Sequence, residues 1–252
     1  MSMSPKSVSE TLLQRRSIRR YEYEQVSQED MQFVFDAIRN TPTSYNAQQY
    51  SVIDVSDPGL KQKLYELTGQ KQIKTCSHFL AFCADFNKIA CAAKAKNETM
   101  PEIYNTADGL ILGTVDATLA MMSAITAACS LGLGTCCIGY SRTAAPDEIS
   151  SLLKLPKYVY LVCGLAIGIP REIPDIKPKQ PQKLIIHSNT YRQDDLIHDL
   201  LAYDSEITCY NANRSGSKTS NDWVTHMLGY YREAMGYTML TALRHRGFDP
   251  RR

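Results

Sequence analysis

From Leu110 to Ile138 the chain carries a single charged residue, Asp116. The run is long enough to cross a bilayer. Asp116 in its middle and Gly132 and Gly134 at its end fit a core helix better. Thr114 to Leu131 is apolar around most of its circumference, which predicts a central helix rather than a surface one. A chain built around such a helix must supply layers to cover it, and the 252 residues here suffice without disulfide or metal staples.

Flanking segments supply those layers. Ser9 can cap a first helix with Leu12 and Leu13 on its inner face, running into the basic stretch RRSIRRY. A second helix follows Ser27, with Met31, Val34, Phe35 and Ile38 at helical spacing. TPTSYNAQQ, residues 41–49, reads as a loop, Tyr50 to Val55 as a strand ending at Asp57-Pro58-Gly59, and Leu60 to Leu67 as a short helix closed by Gly69. Phe79 to Ala84 is a continuous apolar run, a buried strand. GLGTCCIGY leads into another strand, Pro146 to Leu153 is helical, and Tyr158 to Ile167 is a strand ended by Gly168-Ile169-Pro170. IPDIKPKQPQ cannot be regular structure. Beyond His187 the chain is polar, with a loop at Asn211 to Ser220 and a last helix from about Asp222 to His245. Long helices and few strands in mixed order predict an α+β fold.

Composition removes several function classes. The net charge of +2 gives no general affinity for nucleic acid. The start, MSMSPKSVSE, has no apolar h-region of a signal peptide. None of the eight cysteines falls in a CxxC pair, so buried reduced thiols in a cytoplasmic protein are expected and a zinc site is not. There is no GxSxG and no HExxH, and the five histidines are scattered.

Arg15, Arg16, Ser17, Arg19 and Arg20 lie close together. On a helix Arg15 and Arg19, four apart, would face one point, and converging guanidiniums make a phosphate site; a solvated basic helix end is the other reading. Lys177-Pro178-Lys179 could complete that site or be a surface linker. Gly132 to Gly139 is either a helix cap and tight turn or a close backbone approach to a flat ligand. Phosphate-binding arginines without an evident nucleophile suggest that a cofactor carries the chemistry.

RRSIRRY, TPTSYNAQQ, LTGQKQI, FCADFN, SLGLGTCCIG, LPKYVYLVCGLAIGIP and DIKPKQP, in this order, resemble the nitroreductase family, most of all its flavin reductase and oxygen-insensitive NADPH nitroreductase branch. The resemblance spans residues 9 to 223. It implies a nitroreductase-like α+β fold with a central mixed or antiparallel sheet flanked by helices. It places an FMN-binding core at 1–186 and a C-terminal extension at 187–252 that wraps the partner of a homodimer. FMN would lie at the subunit interface. Arg15, Ser17, Arg19, Lys177 and Lys179 would hold its phosphate, with Arg16 in the same motif. Thr43, Tyr45 and Gln48 would line the ribityl chain and ring edge, Gln70 the pyrimidine end, and Cys137, Ile138 and Gly139 would pass close to the ring. Arg214 and Lys218 would meet the 2′-phosphate of NADPH, although the loop NRSGSKTSND has one fewer arginine than its relatives usually show. Arg15 stands where relatives often have His, and Lys179 where they have Arg, losing bidentate geometry.

The activity implied is FMN-dependent NAD(P)H oxidation, with NADPH or NADH as donor and nitroaromatics, quinones or flavins as acceptors, in a ping-pong order. No catalytic side chain, metal, nucleic-acid or membrane partner is expected. The alternatives are a flavin enzyme of the same fold with other chemistry, such as flavin fragmentation or dehalogenation, and a non-catalytic FMN carrier or sensor.

Overall fold

The computed structural model describes residues 5–216 and 218–251. The first four residues of the N-terminal stretch and Ser217 of the expected phosphate-gripping loop lie outside them. The chain forms two compact units: residues up to Ile173 together with those from Thr238 onward, and Pro174–Tyr237. The boundary expected at 186/187 thus falls inside the second unit, and the last residues of the expected extension return to the first.

The first unit is built on a four-stranded sheet in the order β1-β2-β4-β3, comprising β1 (Tyr50–Val55), β2 (His78–Asp85), β3 (Gly134–Ile138) and β4 (Val159–Gly168). All three pairings are antiparallel. β4 is buried along its whole length and β2 along nearly all of it, which explains their unbroken apolar sequences. Alternation divides β2 between two cores. Leu80, Phe82 and Ala84 pack with α2 (Gln28–Arg39) and α6 (Ala107–Ser130) on one side. Phe79, Ala81 and Cys83 pack with Leu64 of α3 (Pro58–Thr68), Ile73 of α4 (Lys71–Thr75) and Ile149 of α7 (Pro146–Leu152) on the other. Between β2 and α6, α5 (Asn87–Ala95) has no buried residue.

α6 is central, as its composition predicts, but it is lined by size. Ala117, Ala120, Ala124 and Ala128 are fully buried, and Gly113 lies so close to the sheet that a Cβ there would meet that of Ala84 at 2.7 Å. Ile111, Val115, Leu119 and Met122 face outward and are exposed on this chain. Among the described residues α6 is the one helix long and apolar enough to cross a membrane, yet its small-residue face packs on the sheet.

Two N-terminal expectations fail. Ser7, not Ser9, caps α1 (Val8–Gln14), in a capping box with Glu10, and Leu12 and Leu13 are exposed while Thr11 is the buried residue. The helix stops at Gln14, so Arg15 to Arg20 are not helical. Arg15 is already extended, with φ −61° and ψ 144°. Ser17 then bridges Thr135 in parallel and Ile18 N–H donates to Thr135 O at 2.9 Å. Ile18 and Tyr21 are buried by this arrangement, which burial of two apolar side chains favours over another helical turn.

The second unit holds α8 (Leu196–Asn213) and α9 (Trp223–Ala234). α8 was not evident in sequence because its buried stripe, Asp199, Tyr203, Ile207 and Asn211, is half polar, whereas Ile197 and Leu201 are exposed. The last helix expected from Asp222 is two: α9, capped by Asp222, and α10 (Met239–His245) in the first unit, parted at Gly236. Beyond α10, Phe248 is fully buried, edge-on to Tyr160 at 4.9 Å and to Phe86 at 6.1 Å.

Candidate active site

The extended Arg15–Tyr21 segment lies against β3, and two glycines of GLGTCCIG are explained by contacts of the chain itself. A Cβ on Gly134 would stand 2.8 Å from Ile18, so the bare glycine admits this segment. A Cβ on Gly139 would meet the Arg142 guanidinium at 3.0 Å. The segment is further fixed by the Tyr21 hydroxyl donating to Ile18 O at 2.7 Å. Glu172 accepts from the N–H groups of Arg19 and Arg20 at 2.8 and 3.2 Å.

With the segment extended, Arg15 and Arg19 are not one helical turn apart, and the single converging point expected of a helix is replaced by two clefts. Arg20 is spent on Glu172, at 3.7 Å. Arg15 and Arg19 make no side-chain ion pair among the described residues. Arg15 and Arg16 line a cleft of about 420 Å³ with Gly132 and Gly134. Arg19 lines a second, of about 470 Å³, with Gly69, Lys71 and Gln72. Gln70, the residue between Gly69 and Lys71 of that cleft, starts α4 without lining the cleft itself, and its side-chain oxygen accepts from Gln72 at 2.9 Å.

β3 is buried except at Cys137, which is exposed; Ile138 is buried and Gly139 half-buried. The thiol is pushed up by its buried surroundings, and the nearby Arg15 guanidinium opposes that shift. Cys137 is therefore a neutral thiol at physiological pH, a surface to be covered rather than a nucleophile. Burial drives the core thiols further, Cys76 and Cys83 to about 12 and Cys163 to about 11. All eight cysteines are free; Cys91 and Cys209 are exposed as well, against the expectation of buried thiols.

Thr43, Tyr45 and Gln48 lie in a loop that lines neither cleft. Tyr45, Asn46 and Gln48 adopt positive φ of 53°, 55° and 51°, and Tyr45 is fully exposed. The loop is anchored on α6. Asp116 is fully buried; its Oδ1 accepts from Ser44 N–H at 3.1 Å and its Oδ2 from Gln49 N–H at 3.2 Å. Thr41 donates to Ser123 at 2.8 Å. The sequence showed Asp116 only as an interruption of an apolar run, although a lone charge in a core helix signals a polar partner by itself.

The residues expected to complete the site fall in the second unit. Lys177 and Lys179 are exposed on an irregular strap, whose Asp175 accepts from Ser215 N–H at 2.7 Å. Arg214 ends α8 and Lys218 is exposed; Asn211 binds both flanks of their loop, donating to Asn221 O and accepting from Thr219 N–H.

Residues 12–169 match the Nitroreductase family and residues 177–251 match the Nitroreductase family, C-terminal domain. The chain belongs to the nitroreductase family. It is 40% identical over 226 residues to an FMN reductase [NAD(P)H] of Bacillus subtilis (strain 168), covering 89% of this chain and 90% of that one. It is 36% identical over 228 residues to an oxygen-insensitive NADPH nitroreductase of Salmonella typhimurium, covering 89% and 90%. A solved structure of a hypothetical oxidoreductase, YcnD, from Bacillus subtilis superposes with a TM-score of 0.93 at 38% identity, covering 97% of this chain and 99% of that one. The nitroreductase fold expected from sequence is therefore the one observed.

Proposed function

We propose that this chain is an FMN-dependent NAD(P)H oxidoreductase that reduces small flat acceptors. The observation that carries this reading is the unpaired Arg15 beside the one opening of an otherwise buried strand, at Cys137. That arrangement offers a cation to a phosphate and an apolar floor to a ring, which is the donor set FMN needs. The relatives named FMN reductase and NADPH nitroreductase support it.

In this reading Arg15, Arg16 and Ser17 meet the phosphate, together with Lys177 and Lys179. Arg19, expected from sequence at the phosphate, lines the other cleft with Lys71 and Gln72, and we assign its charge to the pyrimidine end that Gln70 would face. There it would favour the negative charge that develops on reduction. FMN, when bound, would supply the hydride-transfer chemistry between a nicotinamide donor and the acceptor. The chain's own part is to hold, orient and shield, with Cys137, Ile138 and Gly139 forming the floor. Thr43, Tyr45 and Gln48 line neither cleft of their own chain, and in a homodimer they would close the partner's site. The outward Ile111, Val115, Leu119 and Met122 of α6, beside an apolar groove formed with Phe33 and Val8, are the surface such a dimer would cover. Arg214 and Lys218 would select NADPH. Free thiols suit a cytoplasmic setting.

Donor and acceptor would stack on the same flavin face, so the first product would leave before the second substrate enters. Initial rates at varied NADPH and varied quinone, nitroaromatic or free FMN should give parallel double-reciprocal lines; intersecting lines would argue for a ternary complex. Light scattering should give twice 28.3 kDa, and a monomer mass would remove the dimeric site.

A further inference from the structure

A carboxylate buried in an apolar helix is retained only where its oxygens are fully satisfied. Asp116 meets that condition through two backbone N–H groups, those of Ser44 and Gln49, at the two ends of one loop. Between these anchors three non-glycine residues, Tyr45, Asn46 and Gln48, hold left-handed backbone conformations. Such conformations persist only when their surroundings over-determine them. Within the loop itself Gln48 N–H donates to the Thr43 hydroxyl at 3.2 Å and Asn46 N–H to Thr43 O at 3.1 Å. Among the described residues these two bonds are the hydrogen bonds that join Ser44 and Gln49 to α6.

We propose that Asp116 is a positioning residue for the flavin site. Its buried carboxylate clamps residues 44–49 in the strained form that presents Thr43, Tyr45 and Gln48, so that FMN affinity depends on a group that never touches FMN. The inference rests on the FMN reading above. Helix α6 then has two tasks, its alanines packing the sheet and its buried carboxylate holding the loop. A neutral core residue at this position would pack as well and would release the loop.

The test uses the full-length protein and two variants. Asp116→Asn keeps the size but replaces one acceptor oxygen by an amide NH₂ that faces a donor. Ser44→Pro removes one donor without touching α6; Thr43 is extended, at φ −135° and ψ 158°, as a residue before proline must be. In both, hydrogen exchange at the Gln49 amide in the FMN-free protein should rise at least tenfold. The dissociation constant for FMN, read by quenching of flavin fluorescence, should also rise at least tenfold. Unchanged exchange at Gln49 would overturn the clamp. Faster exchange with FMN affinity within twofold of wild type would overturn its role in the flavin site and leave Asp116 a purely structural group. Should Asp116→Asn fail to fold, Ser44→Pro carries both measurements. A wild-type chain that binds no FMN would instead sink the FMN reading, while the exchange data would still decide the clamp.

Discussion

Replacing Arg15 by Ala separates the extended arginine segment from a generic basic surface. Arg15 is half-buried at the end of α1 and makes no ion pair among the described residues, and its charge is felt at Cys137. Its guanidinium is therefore available to a phosphate at little cost in broken contacts. A hydrogen bond to a charged group contributes about 1.5–3 kcal/mol, and each ~1.4 kcal/mol is tenfold in an equilibrium constant. Arg15→Ala should thus weaken FMN binding by about 10- to 150-fold. Arg15→Lys should recover part of the loss, because an ammonium keeps the charge without the planar fork. Arg20→Ala is the internal control: Arg20 is exposed and engaged with Glu172, and surface pairs of that kind contribute ~0–1 kcal/mol. Titrating apo-protein with FMN at fixed ionic strength measures all three. Equal losses for Arg15→Ala and Arg20→Ala, or none for Arg15→Ala, would refute the assignment and leave a diffuse basic patch.

Phe248→Ala empties a fully buried site packed on Tyr160 and Phe86 and should destabilise the first unit by about 3–5 kcal/mol in urea unfolding; a loss under 1 kcal/mol would mean that the C-terminal segment is not part of the core. Iodoacetamide at pH 8 should modify the exposed Cys91 and Cys209 first. Cys137, whose thiol is held above its ordinary 9.0, should lag and speed up as the pH rises past that value; added FMN should abolish labelling of Cys137 alone, as peptide mass mapping would show. Arg214→Ala should raise the KM for NADPH by about 10-fold or more, the scale of one charge-assisted bond, and leave that for NADH nearly unchanged; equal rises would remove Arg214 from 2′-phosphate recognition.

Segments whose stability is local were legible in the sequence. β1 runs over the same Tyr50–Val55 as expected, and α3 ends at Gly69, which takes the left-handed φ of 67° that a helix end favours. The basic residues of RRSIRRY satisfy helical spacing, yet the helix ends at Gln14 and the segment is extended. The decisive force is tertiary: Ile18 and Tyr21 gain more by lying against β3 and Gly134. The change of conformation also separates the arginines that a helix would bring to one point: Arg15 and Arg16 line one cleft and Arg19 another. α8 was hidden by the opposite effect, polar Asp199 and Asn211 turned inward to bind the chain beside them. Of the site, the charged and loop residues could be named from sequence, but the anchor at Asp116 could not, since its partners are backbone amides about seventy positions away and carry no sequence signal.

Flavin content and its response to NADPH test the central claim most directly. The purified chain should carry about one FMN per 28.3 kDa chain, absorb near the flavin maxima, and lose that absorbance on anaerobic addition of NADPH, recovering it when a quinone is added. A colourless protein that takes up no added FMN, or a bound flavin that neither NADPH nor NADH bleaches, would contradict it.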